Sequence, residues 1–199
     1  MMLVFTFVFG RVAGLPSSGV PYALVVFTGL LPWFFFSNAL SECSNSLVGN
    51  SHLISKVYFP RLIVPVATVA VSVFDFLITF VLLFAVMLWY QFLPGIAILM
   101  VPFFVLLAIM VSFGLGLWTA ALNVRFRDFR HLIPFMLQLG VYVSPVGYSS
   151  LVLPDKWRLI YSLNPMVGVI DGFRWSILGG EFSIYWPGLL VSFVMSAGL

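Results

Sequence analysis

The sequence predicts an all-α membrane protein, and three features of composition and pattern lead to this fold class. Of the 199 residues, 62% are hydrophobic and 8% charged, whereas a soluble domain needs about a quarter of its residues charged to solvate its surface. Apolar runs recur at the length of about 20 residues that crosses a bilayer. The nine lysines and arginines are too few for a nucleic-acid-binding surface and fall mainly between the apolar runs. A soluble enzyme, a nucleic-acid-binding protein and a disordered tail are excluded.

The apolar runs divide the chain, taken as one domain over 1–199, into a polytopic bundle of about six transmembrane helices. The terminal runs are too short for a full crossing, so we expect the first and last helices to be truncated in this sequence. The expected spans are the end of span 1 at 1–9, span 2 at 20–40, span 3 at 62–90, span 4 at 96–122, span 5 at 132–149 and the start of span 6 at 184–199. The expected connections are a short helix at 50–61, a loop at 123–131 and an outer amphipathic helical hairpin at 150–183.

The basic residues orient the bundle, because short cytoplasmic loops of membrane proteins carry an excess of lysine and arginine. Lys56 and Arg61 lie in the connection between spans 2 and 3. Arg125, Arg127 and Arg130 lie in the connection between spans 4 and 5. We therefore place these two compact basic connections in the cytoplasm and the helical hairpin on the outer side.

The first cytoplasmic connection predicts a short helix that lies parallel to the membrane. Asn50 is a residue type that caps helix N-termini, and Phe59-Pro60-Arg61 ends the helical pattern because proline lacks a backbone donor. Such a rigid lever is suited to docking into a partner protein. The alternative is an interfacial helix whose lysine and arginine side chains reach the lipid headgroups.

The outer hairpin carries local helix signals. Asn164 predicts an N-cap, Pro165 suits the first helical position and Gly179 predicts a C-cap. Asp171 and Arg174 are three residues apart and can pair across one helical turn. The hairpin at 150–183 consists of two predicted helices, each too short and too polar to span a bilayer. We therefore expect them to lie at, or dip into, the outer interface.

Two features inside the spans have both a structural and a functional interpretation. Trp33 and Phe34 lie within span 2, where their rings either face lipid or line a path, since aromatic faces stack on the C–H edges of sugars. Asp75 is the only charge predicted within a span, and it is either a polar helix contact or part of a transport path. A proton-coupled secondary transporter that uses Asp75 is therefore an alternative, although the sequence shows neither a second intramembrane acid nor an inverted repeat.

The sequence contains no recognisable motif for catalysis, metal binding or nucleotide binding. It has no phosphate-binding loop, no His-Glu-x-x-His motif and no serine-nucleophile elbow. Cys43 is the single cysteine, and His52 and His131 are isolated. A membrane-embedded glycosyltransferase would need a metal-binding pair of acids or a catalytic base, and Asp155 and Asp171 are too far apart in sequence to suggest one. We expect neither a catalytic site nor a metal site.

Five segments, in order along the chain, resemble the permease subunit of bacterial type-2 ABC exporters for polysaccharides. They extend over essentially the whole chain, so the resemblance is more specific than any one motif. The segments are GLLPWFFFS at 29–37, LISKVYFPR at 53–61, NVRFRD at 123–128, SPVGY at 144–148 and NPM at 164–166.

The resemblance implies a homodimer that binds two copies of a separate ABC ATPase. That partner would hold the ATP and Mg²⁺, so this chain would bind no cofactor of its own. The cargo would be a lipid-linked glycan such as an O-antigen, a capsular polysaccharide or a teichoic acid. The protein would move it across the bacterial cytoplasmic membrane, in contact with membrane lipids.

The resemblance and the residue patterns together predict four groups of functional residues. The expected ATPase-docking residues of the coupling helix are Ser51, His52, Leu53, Ser55, Lys56, Phe59 and Arg61. The expected residues of the second cytoplasmic connection are Asn123, Arg127 and Asp128. The expected translocation path contains Trp33, Phe34, Tyr142 and Tyr148, and the expected periplasmic gate contains Asn164, Pro165, Asp171 and Arg174.

Overall fold

The computed structural model describes residues 20–56, 58–126, 128–148, 150, 154–179 and 185–198, and every regular element in these ranges is a helix. In chain order the α-helices are α1 (Tyr22–Gly49), α2 (Ser51–Lys56), α3 (Ile63–Trp89), α4 (Val101–Arg125), α5 (Phe129–Val143), α6 (Asp155–Tyr161), α7 (Pro165–Leu178) and α8 (Trp186–Ala197). A 3₁₀ helix at Ile96–Met100 leads directly into α4. The predicted end of span 1 at 1–9 and the predicted site residue Arg127 lie outside the described residues.

Three helical stretches are long and apolar enough to cross a membrane: α1, α3 and the continuous stretch Ile96–Arg125. They contain 28, 27 and 30 residues. At 1.5 Å per residue each is about 40 Å long, more than the hydrocarbon thickness of about 30 Å. The prediction of a membrane-spanning helical bundle is confirmed at this level. α5 has 15 residues and α8 has 12, so their lengths are about 22 and 18 Å.

α1 is the central helix, and most of its residues are buried between α3, α4 and α7. Gly116 lets α4 approach α1 closely. A β-carbon at this position would lie 2.6 Å from the Sγ atom of Cys43 on α1, so a larger residue would not fit. On the other side, Phe76 of α3 packs between Phe35 of α1 and Phe173 of α7, with ring centroids 5.5 and 6.0 Å apart. The core therefore lies around α1.

α1 continues to Gly49, beyond the predicted end of span 2 at residue 40. The last part of the helix is polar, but its side chains bond to the helix itself: Ser44 Oγ donates to the carbonyl oxygen of Ser41 at 2.7 Å. A hydroxyl satisfied in this way does not end a helix. As a consequence Glu42, which the sequence placed after the span, belongs to a span-length helix.

The connection predicted at 123–131 is shorter in the structure. α4 continues to Arg125 and α5 begins at Phe129. Asn123 is therefore in the last turn of a helix rather than in a loop, and it is buried. Asn123 can remain within the buried end of the helix because its side-chain amide is hydrogen-bonded to residues of α1.

The helix predicted at 132–149 ends early, at Val143. Ser144 has an extended backbone (ψ 153°) because it precedes Pro145, and residues before proline avoid the helical conformation. The following segment, 144–148, forms turns and bends instead of completing a span.

The short helix predicted at 50–61 is confined to α2, Ser51–Lys56. Asn50 lies at the junction of the two helices and serves both. Its Nδ2 atom donates to the carbonyl oxygen of Ser46 at 2.9 Å, so the amide satisfies one of the carbonyls left over at the end of α1. Its own carbonyl oxygen accepts from the backbone N–H groups of Leu53 and Ile54, both at 3.0 Å, as expected of the residue that precedes the first turn of α2.

The helix signals of the outer hairpin are confirmed, but its predicted location is not. Asn164 Oδ1 accepts from the backbone N–H of Met166 at 3.1 Å, Pro165 begins α7, and Gly179 ends it with a φ of 57°. Eleven of the 14 residues of α7 are buried, packed against α1, α4 and α8. Only α6, with Trp157 61% exposed, has the exposed character expected of an interfacial helix. α7 is buried within the protein because the apolar face predicted for it packs against neighbouring helices, and the position of the hairpin at the outer interface stays a prediction.

Candidate functional site

A cleft between α1 and α5, called here the aromatic cleft, contains three of the four predicted path residues. Its volume is about 240 Å³, and it is lined by Leu30, Trp33, Phe34, Ser37, Leu137, Gln138, Val141 and Tyr142. Trp33 is 5% exposed, because its indole packs on Gly140, where a β-carbon would lie 2.7 Å from the Trp33 ring. Phe34 and Tyr142 are 37% and 62% exposed, so they supply the accessible ring surface of the cleft.

Tyr148, the fourth predicted path residue, does not line this cleft. Its hydroxyl lies 2.8 Å from the hydroxyl of Tyr161 and 3.5 Å from the carbonyl oxygen of Tyr142, to which it donates. Burial, and then the hydrogen bond with Tyr148, raise the pKa of the Tyr161 phenol, which therefore stays neutral at physiological pH. The pair of tyrosines ties the end of α5 to α6.

A second groove, the polar groove, runs between α1 and α3 on the other side of Phe34. Two adjoining cavities of about 200 and 520 Å³ form it, lined by Leu31, Phe34, Phe35, Asn38, Glu42, Thr68, Val71, Ser72, Asp75, Phe76 and Thr79. Asp75 was predicted as the only charge within a span, yet Glu42 lines the same groove. The sequence reading missed Glu42 because it ended span 2 too early.

The two carboxylates of the polar groove, Glu42 and Asp75, are exposed. Within the described ranges neither Glu42 nor Asp75 has a salt bridge, and both side chains face open space. The hydroxyls of Ser72 and Thr79 donate to carbonyl oxygens of their own helix, at 3.2 and 2.9 Å. The groove therefore presents acceptor groups that no described residue satisfies.

A buried arginine, Arg174 of α7, holds the segment that follows α5; we call this contact the arginine clasp. Its Nη1 atom donates to the Tyr148 carbonyl oxygen at 2.9 Å. Its Nη2 atom donates to the carbonyl oxygens of Pro145 and Val146 at 2.9 and 3.0 Å. Asp171 Oδ1 lies 3.5 Å from Nη1, which confirms the predicted pairing across one helical turn.

The clasp compensates for burying a charge. Arg174 is 1% exposed, and an isolated ion at that depth would be strongly unfavourable without such partners. Burial lowers the pKa of Arg174 while the Asp171 carboxylate opposes this change; burial likewise raises the pKa of Asp171 and Arg174 opposes it. Two further bonds reach the same segment: the Tyr22 hydroxyl donates to the Gly147 carbonyl oxygen, and Asn164 Nδ2 donates to Ser144 Oγ at 3.0 Å.

The predicted gate residues thus converge on one segment. Asn164, Asp171 and Arg174 all lie in or beside contacts with 144–148, and Pro165 positions the first turn of their helix. Sequence spacing predicted the ion pair. It did not predict the carbonyl acceptors, because a backbone oxygen has no signature in the sequence.

The predicted docking residues lie at the opposite end of α1, beside its C-terminus. No residue of α2 is buried, and the exposed residues of this region are Ser51, His52, Leu53, Ser55, Lys56, Tyr58 and Arg61, with Phe59 partly exposed. Five of the seven predicted docking residues therefore lie on the accessible helix α2, and the other two, Phe59 and Arg61, lie in the segment that follows it.

The second predicted cytoplasmic group is divided by the structure. Asp128 is exposed, whereas Asn123 is 3% exposed and donates from Nδ2 to the Ser44 carbonyl oxygen at 3.0 Å and to Asn45 Oδ1 at 3.1 Å. Asn123 thus fastens the end of α4 to α1 and is not available to a partner. Among the described residues no group of three histidine, cysteine or acidic side chains is placed to hold a metal ion.

The sequence profile of the ABC-2 type transporter family matches residues 1–178. This chain belongs to the ABC-2 type transporter family. Among curated relatives it is 27% identical over 170 residues to the O-antigen export system permease protein RfbA of Klebsiella pneumoniae, covering 85% of this chain and 66% of that protein. It is 28% identical over 175 residues to the protein of the same name from Myxococcus xanthus, covering 87% of this chain and 66% of that protein.

A third relative is more distant. The polysialic acid transport protein KpsM of Escherichia coli is 20% identical over 187 residues, which cover 92% of this chain and 71% of that protein. The chain thus spans about two thirds of the length of the curated relatives it matches. As an ABC-2 type transporter chain with several membrane-spanning helices, it is a multi-pass protein of the bacterial inner membrane.

Proposed function

We propose that this ABC-2 type transporter chain is the non-catalytic permease subunit of an ATP-driven exporter for a lipid-linked polysaccharide. The observation that carries the proposal is the family match over 1–178 combined with relatives named as O-antigen and polysialic acid transporters. The cargo is an O-antigen, a capsular polysaccharide or a teichoic acid, carried across the inner membrane. The working unit is a homodimer with two copies of an ABC ATPase, which supply the ATP and Mg²⁺ site.

The proposed point of energy input is α2. This helix is exposed, and a single residue, Asn50, separates it from α1. Since α1 is the most deeply packed of the long helices, a displacement of α2 by the ATPase is passed directly to the centre of the bundle. Asn123 adds to this coupling, because its bonds to Ser44 and Asn45 make the end of α4 move with the end of α1.

The proposed cargo path contains the aromatic cleft. Phe34 and Tyr142 expose ring faces on which the C–H edges of sugars stack without a requirement for a particular sugar sequence. Trp33 supports the wall of the cleft from behind. The proposed gate is the segment 144–148, which the arginine clasp holds in place at the end of α5.

Docking through α2 is tested by the exchange Lys56→Glu. Reversing an exposed charge at an interface weakens association by electrostatic repulsion, and we expect severalfold less ATPase to co-purify with the permease. The matched control is Gln91→Glu, which introduces the same side chain at an exposed site beyond the far end of α3. Undiminished co-purification of Lys56→Glu would exclude this lysine from the docking surface.

The path is tested at Tyr142, whose ring is exposed in the cleft. We expect Tyr142→Ala to lower glycan export at normal protein level and Tyr142→Phe to retain it, because stacking needs the ring and not the hydroxyl. Val143→Ala is the control, since Val143 is also exposed on α5 but does not line the cleft. Normal export by Tyr142→Ala would remove this ring from the path.

The polar groove favours one second candidate, a proton-coupled secondary transporter. Glu42 beside Asp75 supplies the second acid that a proton relay needs and that the sequence reading did not find. Membrane vesicles distinguish the two mechanisms. We expect export to continue when an uncoupler removes the proton gradient and to stop when ATP is withdrawn; the reverse result would favour proton coupling.

A further inference from the structure

The aromatic cleft and the polar groove meet at one residue. Phe34 lines both of them, so its ring forms the ridge of α1 that separates the two. On one side of the ridge lies Tyr142; on the other side lie Asn38, Asp75 and Thr79. An apolar ring wall and a wall of hydrogen-bond acceptors thus lie on neighbouring faces of the same helix.

The polar wall is poorly suited to contact with lipid. Ionisable side chains within membrane spans usually face the bundle interior or a water-filled cavity, because placing a carboxylate in hydrocarbon has a large energetic cost. Glu42 and Asp75 face outward into open cavities, and within the described ranges no basic side chain lines those cavities. Water, or a ligand with many hydroxyl groups, satisfies such a surface.

From this arrangement we infer that the cleft and the groove form a single hydrated binding site for a polyhydroxylated chain, and that Glu42 and Asp75 make it select uncharged glycans over anionic ones. Sugar C–H faces contact the rings, while sugar hydroxyls donate to the carboxylates and to Asn38 Oδ1. A carboxylated or phosphorylated repeat unit would be repelled by both acids, since like charges placed together oppose binding. The inference rests on the proposed export function and names its substrate class.

Hydration of the groove is tested by cysteine substitution in the transporter in its own membrane. Cys43 is the single cysteine and is fully buried, so it contributes little background. Thr79→Cys lies in the groove, and its neighbour Ile78→Cys, 70% exposed on a different face of α3, is the control at the same depth. We expect a charged, water-soluble thiol reagent to modify Thr79→Cys at least about tenfold faster, because the reactive thiolate is suppressed in apolar surroundings.

Selectivity is tested by removing the charges. Cells that make either a neutral hexose polymer or a polymer with one carboxylate per repeat, on the same lipid carrier, provide the two cargoes. In the double variant Glu42→Gln, Asp75→Asn we expect the ratio of anionic to neutral export to rise about fivefold or more, the factor for one pair of like charges a few ångströms apart in water. The charge-preserving variant Glu42→Asp, Asp75→Glu should keep the original ratio.

The outcomes separate this inference from the function on which it rests. Equal labelling of Thr79→Cys and Ile78→Cys, or an unchanged export ratio in the neutralised variant, overturns the inference while glycan export by the native protein still stands. Export of neither polymer by the native protein, with ATPase present and both cargoes made, overturns the proposed function itself. Selective labelling together with a raised ratio supports both.

Discussion

The substitution Gly29→Ala tests the arginine clasp with a single methyl group. Gly29 lies on the face of α1 that meets the segment 144–148. A β-carbon there would overlap the carbonyl oxygen of Val146 and would lie 2.6 Å from Arg174 Nη2. Neither neighbour can withdraw easily, because the first is backbone and the second is held by three carbonyl bonds and Asp171.

The expected size follows from three contributions. Alanine in a helix is more stable than glycine by about 1 kcal/mol, so helix propensity alone would stabilise the variant by this amount. Overpacking a tight contact costs about 1–3 kcal/mol. Displacing the guanidinium by a few tenths of an ångström weakens hydrogen bonds from a charged donor, each worth about 1.5–3 kcal/mol. With one such bond lost, Gly29→Ala should lower the free energy of unfolding by about 1.5–5 kcal/mol.

The buried Cys43 provides the assay. A dye that fluoresces on reaction with thiols reports unfolding of the detergent-solubilised protein, because this cysteine has no exposed surface until the bundle opens. At about 2–4 °C per kcal/mol for a chain of this length, we expect the melting temperature to fall by about 3–20 °C.

Gly49→Ala on the same helix is the control for this experiment. A β-carbon there meets no atom within 4 Å, so the melting temperature should stay the same or rise slightly. If Gly29→Ala has the same melting temperature as the unmodified protein, then α1 does not approach the clasp as closely as described here.

Three further substitutions are measured by the same dye assay. Asn164→Ala removes both the N-cap acceptor of Met166 and the donor to Ser144 Oγ and should cost about 1–3 kcal/mol, and an unchanged melting temperature would show that neither bond contributes. Asn123→Ala leaves the end of α4 unbonded to Ser44 and should cost about 1–3 kcal/mol; a loss within experimental error would contradict the contact. Tyr161→Phe removes the bond to the neighbouring tyrosine and should cost about 1 kcal/mol equally at pH 6 and pH 9, because its raised pKa keeps the phenol neutral throughout; a loss confined to one pH would refute this reasoning.

Features set by local sequence were predictable. The three membrane-length helices follow from apolar runs, and the first turn of α7 follows from Asn164 and Pro165, because capping depends on residues within one turn of each other. The ion pair of Asp171 and Arg174 was predictable for the same reason, as three residues make one helical turn.

Features set by contacts between distant segments were not predictable. Arg174 bonds to Pro145, 29 residues away, and Asn123 bonds to Ser44, 79 residues away. Every residue offers a carbonyl acceptor, so nothing in the sequence marks which carbonyls a buried donor will find. Asn123 was accordingly assigned to a loop, although its tertiary partners keep it in the last turn of α4, and the burial of α7 against α1, α4 and α8 was not predicted. Glu42 was missed in the same way, since internal hydrogen bonds carry α1 past a polar stretch.

These contacts give α1 a role that no single motif indicates. Its C-terminal end adjoins the exposed helix α2, its middle carries Phe34 between the cleft and the groove, and Gly29 touches the clasp. Gly29 and Gly49 are about 30 Å apart along a continuous helix. In the proposed mechanism, a force applied at α2 therefore has a continuous helical path toward the clasp, in which Pro32 is the point that lacks an internal backbone hydrogen bond. The same displacement would alter the proposed cargo site and the segment 144–148 together, so we expect that loosening the clasp alone uncouples ATP hydrolysis by the proposed partner from export without disturbing its docking.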